Sequence, residues 1–435
     1  MKLFRLSILL LTLGSLSVGL YAGGFALSGV GSRATAMGGA FRGLADDPSA
    51  MYWNPAGLGF MDENSASLGG TFIMPSAKWV NNTPYFSSVP GYTIQEYKAK
   101  KSLKAFPNAF ITMAKSPKLK YGLGIFVPYG LGTTWDAYQQ PAVYAGFTDF
   151  PEEEMKSSIA IVDFHPSVAY QIKPNLSAGM GISVLYGNIG IAKIQFSDPP
   201  NYLPTTSDLS GSGIGFGANI GVIYKPMDGL SVGLTGKLPS SIKMNGDIEA
   251  YTWVPPATKV GGTSDIETTL KLPADIGIGF SYQVMPQLTV NLDYAYTMWS
   301  RLDKVVVDLD TPITISPIPG APQLTSSELV FDWKDTHRIS IGGEYRMGCN
   351  DLRLGFYFDQ SPIPDETLVP TISDVNNKIS SNIGWGRIFG KIGVDANFQY
   401  VIFTERDIET QTTTNMAGTY NAGSISGNIG LSYKF

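Results

Sequence analysis

The last twelve residues, Ser424 to Phe435, place Ile429, Leu431, Tyr433 and Phe435 on one face at period two, and Asn428, Gly430, Ser432 and Lys434 on the other. A strand greasy on one side, polar on the other and ending on Phe suits the closing strand of an outer-membrane barrel. Lipid lies outside such a barrel and a wet lumen inside. One strand of this kind says little alone, so the constraint lies in its repetition. Ile392, Val394, Ala396, Phe398, Tyr400 and Ile402 alternate with Gly393, Asp395, Asn397 and Gln399. Similar runs cover 352–359, 288–298, 275–282, 214–224, 176–186 and 121–129. A helix would scatter these side chains around its axis.

The connections sort by length. Tight turns stand near Ser116-Pro117, Lys173-Pro174-Asn175, Pro226 to Gly229, Met285-Pro286, Gly348-Cys349-Asn350 and Phe389-Gly390. Long loops fall at 75–104, 132–156, 191–211, 246–263, 309–326, 361–378 and 403–419. Six short and seven long connections in strict alternation predict fourteen antiparallel strands, with short periplasmic turns and long outer loops. The fold class expected is all-β: a fourteen-stranded transmembrane β-barrel over residues 63–435, preceded by a compact segment, 23–62.

The ends and composition agree. Lys2 and Arg5 precede an apolar run from Leu6 to Leu20, with small residues at Ala22, Gly23 and Gly24. That is the pattern of a secretory signal over residues 1–22. No later stretch reaches the ~20 apolar residues of a spanning helix. With Lys2 and Arg5 removed the chain has 29 basic and 36 acidic residues, which speaks against nucleic acid as a partner. Cys349 is the single cysteine, so no internal disulfide forms. Gly at 49 of 435 and aromatics at 12% suit twisted strands and interfacial aromatic belts.

Residues 23–62 do not alternate. Asp47-Pro48 is placed as an N-cap and first helical residue, and Asn54-Pro55 closes that helix. Met37, Phe41, Leu44, Met51, Tyr52 and Trp53 need cover, which the barrel lumen offers to a plug. The stretch from Gly23 and Phe25 through Ala45-Asp46-Asp47 to Asn54-Pro55-Ala56 resembles the amino-terminal hatch of the FadL/TodX (OmpP1) family, outer-membrane transporters of long-chain fatty acids and aromatic hydrocarbons. Pro128-Tyr129-Gly130-Leu131, Leu272-Pro273-Ala274, Trp333-Lys334-Asp335-Thr336 and Phe358 to Pro364 extend the similarity over the mature chain. It implies a fourteen-stranded barrel with an internal hatch, passive uptake of hydrophobic molecules, and a kinked third strand serving lateral exit. Gly38-Gly39-Ala40-Phe41 makes this hatch slightly longer than the fatty-acid type.

Chemistry-bearing clusters are sparse. His165 and His337 lack ligand-spaced neighbours, and Gly213 to Gly217 lies inside a strand, so neither metal, cofactor nor enzymatic activity is expected. Candidate capture residues are the aromatics of the first two long loops, Trp79, Tyr85, Phe86, Trp135, Tyr144 and Phe147. Pro128, Tyr129 and Gly130 are the candidate lateral opening, because Pro removes a ladder donor. Arg338, Arg346 and Arg353 face the lumen, either to meet a carboxylate or to pair with Asp275, Asp293, Glu344, Asp359 and Asp395. Expected partners are outer-membrane lipid and lipopolysaccharide, a small hydrophobic substrate, and the barrel-assembly machinery through the C-terminal strand, the chain itself being a monomer. The alternative reading is a structural or secretion-associated barrel that anchors exported proteins.

Overall fold

A computed structural model describes residues 24–27, 29–81, 96–135, 155–196, 203–255, 258–321, 323–372, 374–412 and 414–435. The expected signal sequence and Gly23 lie outside these residues, as do Tyr85, Phe86, Tyr144 and Phe147.

Fourteen antiparallel strands form one closed ring. They are β1 (Ser65–Asn81), β2 (Lys104–Ala114), β3 (Leu119–Trp135), β4 (Met155–Lys173), β5 (Leu176–Phe196), β6 (Pro204–Met227), β7 (Leu230–Lys237 and Ser240–Val254), β8 (Thr258–Leu272 and Ala274–Met285), β9 (Leu288–Met298 and Lys304–Ile313), β10 (Leu324–Val330 and Thr336–Met347), β11 (Asn350–Asp359), β12 (Lys378–Phe389), β13 (Ile392–Phe403) and β14 (Gly418–Lys434). Each pairs with the next, and β14 pairs with β1 from Ser65↔Lys434 to Asn81↔Gly418. Closure leaves no edge strand among the described residues, the condition for a sheet to stand in lipid. Short strands Glu96–Lys98 and Arg406–Ile408 add to β1 and β14.

The outward face is as the alternation predicts over most of the ring. Ile429, Leu431, Tyr433 and Phe435 are exposed, as are Ile392, Phe398, Tyr400 and Ile402. The six tight turns lie where expected, with Gly229, Gly348 and Gly390 at φ 79°, 64° and 62°, a region that favours glycine.

The upper parts of the strands depart from expectation. Much of the proposed loops 191–211, 246–263 and 309–326 is strand. The cause is visible in β7. Its ladder with β6 reads Asn219↔Lys237 below the Leu238-Pro239 break and Phe216↔Ser241 above it, a shift of one residue. The shift turns the apolar set inward: Ile242, Met244 and Ile248 are buried, while Lys243, Asp247 and Glu249 point out. Breaks at Pro273, Trp299–Arg301 and 331–335 cross β8, β9 and β10 at the same height, as the pairs Lys237↔Asp275, Ala274↔Met298 and Thr297↔Thr336 fix. The lumen therefore has two tiers. The lower is polar, with Asp163, His165, Asn219, Asp293, Glu344 and Arg353 buried. The upper is apolar, with Leu185, Ile189, Leu209, Ile266, Val305 and Leu309 in one continuous core.

Candidate functional site: a lumen with a gap in its wall

Residues 24–27 and 29–60 lie against the inward-facing side chains of the lower tier. Helix α1 (Ser32–Ala36) packs on β11 to β13, and helix α2 (Ala50–Trp53) leads into a 3-10 turn, Pro55–Phe60, resting on β4 to β6. The α2 cap is Ser49 rather than Asp47. Asp47 instead accepts the amide and hydroxyl of Ser49, at 2.8 and 2.6 Å. Asn54 ends the helix as expected, in extended geometry, and its Oδ1 accepts the Ala56 amide at 3.2 Å.

Ionic contacts tie this segment to the wall. Arg33 donates to Asp46 and, at 2.7 Å, to Glu344; Glu344 also accepts from Arg353, which reaches Asp395 at 2.5 Å. Arg42 pairs with Asp275 at 2.9 Å and lies 3.7 Å from Asp293, whose Oδ2 accepts the Phe41 and Arg42 amides. Asn54 Nδ2 donates to the Arg42 carbonyl, Asn219 Nδ2 to that of Met51, and Ser177 Oγ to that of Ala56. Gly38, in the stretch that lengthens this segment, has φ 69° and sits so close to β11 that a Cβ would stand 2.7 Å from the Phe356 carbonyl. Thus Arg353 is committed to a buried ion network, and Arg346 joins it at the exposed rim, 3.4 Å from Glu344. Arg338 lies over the Tyr357 ring at 3.9 Å and 3.6 Å from Asp359. Asp275 and Asp293, expected to pair with those arginines, serve Arg42 instead.

At the level between the tiers, Phe25 is enclosed by aromatic rings. Tyr129, Trp299 and Trp333 have centroids 5.6, 4.9 and 5.6 Å from it. Trp79 and Trp135, expected on open loops, lie instead within β1 and at the end of β3, and both are buried in the apolar tier. A recess beside Tyr129 and Trp299 mixes Arg42, Lys237, Asp275 and Arg338 with apolar Leu27 and Ile220. The Lys237 ammonium is 4.8 Å from the Tyr52 ring centre and 5.6 Å from that of Tyr129. Sequence reading missed Lys237 together with Arg33 and Arg42. Five lumen carboxylates against three lumen arginines were the available signal that other cations, Arg33 and Arg42 of the preceding segment among them, supply the balance.

The wall itself is interrupted beside Pro128. The β2–β3 ladder runs from Ala114↔Lys120 to Ala109↔Ile125 and stops. A bulge between Phe126 and Tyr129 shifts the β3–β4 register. That bulge buries Val127 and Tyr129, which simple alternation had assigned to the lipid face. The β3 edge abandoned by β2 is taken by the N-terminal segment: Leu27 N–H donates to the Pro128 carbonyl at 2.9 Å, and Gly130 N–H to that of Phe25 at 3.0 Å. A Cβ on Gly130 would meet Phe106 and Leu27 within 3.0 Å. Above the gap, Lys100 N–H rejoins β3 at the Thr134 carbonyl.

Residues 13–435 match the family model described as outer membrane protein transport protein (OMPP1/FadL/TodX). Outer membrane protein P1 of Haemophilus influenzae is 24% identical over the whole of both chains. The long-chain fatty acid transport protein of an Escherichia coli O6:H1 strain is 24% identical over 86% of this chain and 85% of its own. Among solved structures, a Pseudomonas aeruginosa FadL homologue superposes with a TM-score of 0.79 at 16% identity, covering 95% of this chain and all of that one. The P. putida toluene transporter TodX gives 0.71 at 16%, covering 96% and 99%. The chain is an outer-membrane β-barrel and belongs to the OMPP1/FadL/TodX family of outer membrane transport proteins.

Proposed function

We propose that this protein is a passive channel for small hydrophobic molecules, long-chain fatty acids or aromatic hydrocarbons, with lateral release into the membrane and no enzymatic step. One observation carries the reading. An apolar upper lumen leads to Phe25, and Phe25 lies beside a ladder gap in which Phe25–Leu27 takes the free edge of β3. Residues 23–62 are the hatch, with Gly23, Phe25, Asp46, Asp47, Asn54, Pro55 and Ala56 as its characteristic residues. Pro128, Tyr129 and Gly130 frame the exit. Trp79, Tyr85, Phe86, Trp135, Tyr144 and Phe147 capture the solute. Residues 1–22 direct export. Lipid and lipopolysaccharide surround the barrel, the C-terminal strand addresses the assembly machinery, and the chain works as a monomer.

Lateral release has an energetic basis. A solute with the surface of one aromatic side chain, about 150–250 Å², gains roughly 4–6 kcal/mol by leaving water. Passage straight through the polar lower tier would forfeit that, whereas passage from apolar lumen to bilayer keeps it. The fatty-acid and toluene transport named for relatives supports this substrate class over the anchoring role. The test is accumulation of labelled oleate and labelled toluene in cells lacking their own hydrophobic-solute channels, with and without this protein. A rise in either supports the reading, and no rise in either refutes it.

A further inference from the structure

The connection between β11 and β12 does not stay at the rim where it begins. Residues 360–372 turn into the lumen, with Ile363 and Leu368 buried in the upper apolar core. The root is tied down firmly. Arg406 donates to the Ile363 and Val375 carbonyls at 2.9 and 3.2 Å and to Asp365 at 2.7 Å, and the Pro362 carbonyl accepts the Lys334 amide at 2.8 Å. The far end is held differently. The Thr371 carbonyl accepts two hydroxyls, Thr133 Oγ1 on β3 at 3.0 Å and Ser157 Oγ on β4 at 2.5 Å. From β11 to β4 is seven strands in either direction round a ring of fourteen, so the segment crosses the barrel from one side to the other. It lands directly above the β2–β3 gap.

We propose that residues 360–372 form a strap across the mouth of the apolar lumen, and that release of the Thr133–Thr371–Ser157 clasp is the entry step for bulky apolar solutes. The asymmetry of the two ends is the argument. The root combines an ion pair with backbone carbonyls on one guanidinium. The clasp is two neutral hydroxyls on one carbonyl, with no charged partner to strengthen it. Thr367, whose hydroxyl donates to the Phe331 carbonyl at 2.7 Å, and Leu368, whose carbonyl accepts the Met416 amide at 3.0 Å, belong to the root, so the part that moves on release is the clasped tip, residues 369–372. The inference rests on the uptake reading for what passes beneath the strap, but entry can be measured apart from uptake.

The experiment uses the full mature chain in detergent, in a Cys349→Ser background, and follows the association rate of N-phenyl-1-naphthylamine by stopped-flow fluorescence. Thr133→Val with Ser157→Ala should raise the rate at least fivefold. Thr133→Cys with Thr371→Cys, bridged by a short reducible cross-linker, should lower it at least tenfold, and reduction should restore it. Ser157→Ala alone covers the case in which the double variant fails to fold, with a smaller rise expected. Rates within twofold of the parent in the released and bridged forms overturn the strap. Rates ordered as expected, with no oleate or toluene accumulation in cells, leave the strap standing and defeat the uptake reading.

Discussion

Placing a charge at two depths on one lipid-facing strand tests how the barrel sits in the bilayer. On β13, Ile392 and Phe398 are both about half exposed and point the same way. Ile392 begins the strand next to the turn at Gly390, opposite Tyr433, whereas Phe398 is six residues further on, opposite Ile383 and Gly427. Six residues at about 3.3 Å each, tilted by about 40°, lift Phe398 roughly 15 Å above Ile392. In an apolar band about 25 Å tall, that puts Phe398 near the middle and Ile392 at the periplasmic edge. Phe398→Arg should therefore destabilise by about 2–4 kcal/mol and Ile392→Arg by about 0–1 kcal/mol. Neither site touches the N-terminal segment, so the difference reports depth in lipid alone. The assay is equilibrium folding into phospholipid vesicles, titrated with guanidinium and read by tryptophan fluorescence. Equal penalties at the two sites would refute the placement of the band.

Two further outcomes concern the lumen and the strap. Glu344→Ala removes the shared acceptor of Arg33 and Arg353, which keep Asp46 and Asp395 respectively, and should cost about 3 kcal/mol, the low end for breaking a buried pair; Arg33→Ala should cost less, since Glu344 keeps Arg353, and the reverse order of melting temperatures would contradict the network. Burial pushes the Asp374 carboxyl, in the 360–377 connection outside the strands, up to about 7, with Lys378 at 3.6 Å only partly opposing. Its stabilising protonated state is complete below the unfolded value of about 4 and is lost as pH rises through 7. Asp374→Asn should therefore raise the melting temperature at pH 8 relative to the parent but not at pH 4, and an identical offset at both would exclude the carboxyl as the cause.

What was legible in the sequence follows from what each wall touches. Where a strand meets lipid on one side and polar lumen on the other, as at Ile429 to Phe435, the alternation states orientation outright. Above the bilayer the same period persists with its sense reversed, apolar in and charged out. Ile248 and Ala250 against Asp247 and Glu249 therefore looked like loop. Val127 and Tyr129 were misassigned because a bulge resets the phase, and nothing local to Pro128 announces its size. Arg33 and Glu344 are 311 residues apart, so their pairing leaves no local pattern to read. Of the glycines that looked like an added stretch, Gly38 lets the segment touch the wall backbone, while Gly39 sits against the Trp53 ring and the Arg338 guanidinium.

The most direct test of lateral release fixes the segment that closes the gap. Ala26 and Tyr129 face each other as an antiparallel bridge, so Ala26→Cys with Tyr129→Cys, in a Cys349→Ser background, places a disulfide across the proposed exit. Accumulation of labelled oleate and toluene is then measured in cells with the bond oxidised and again after reduction. The account predicts that oxidation abolishes accumulation of both solutes and that reduction restores it. Undiminished accumulation with the bond intact would contradict it.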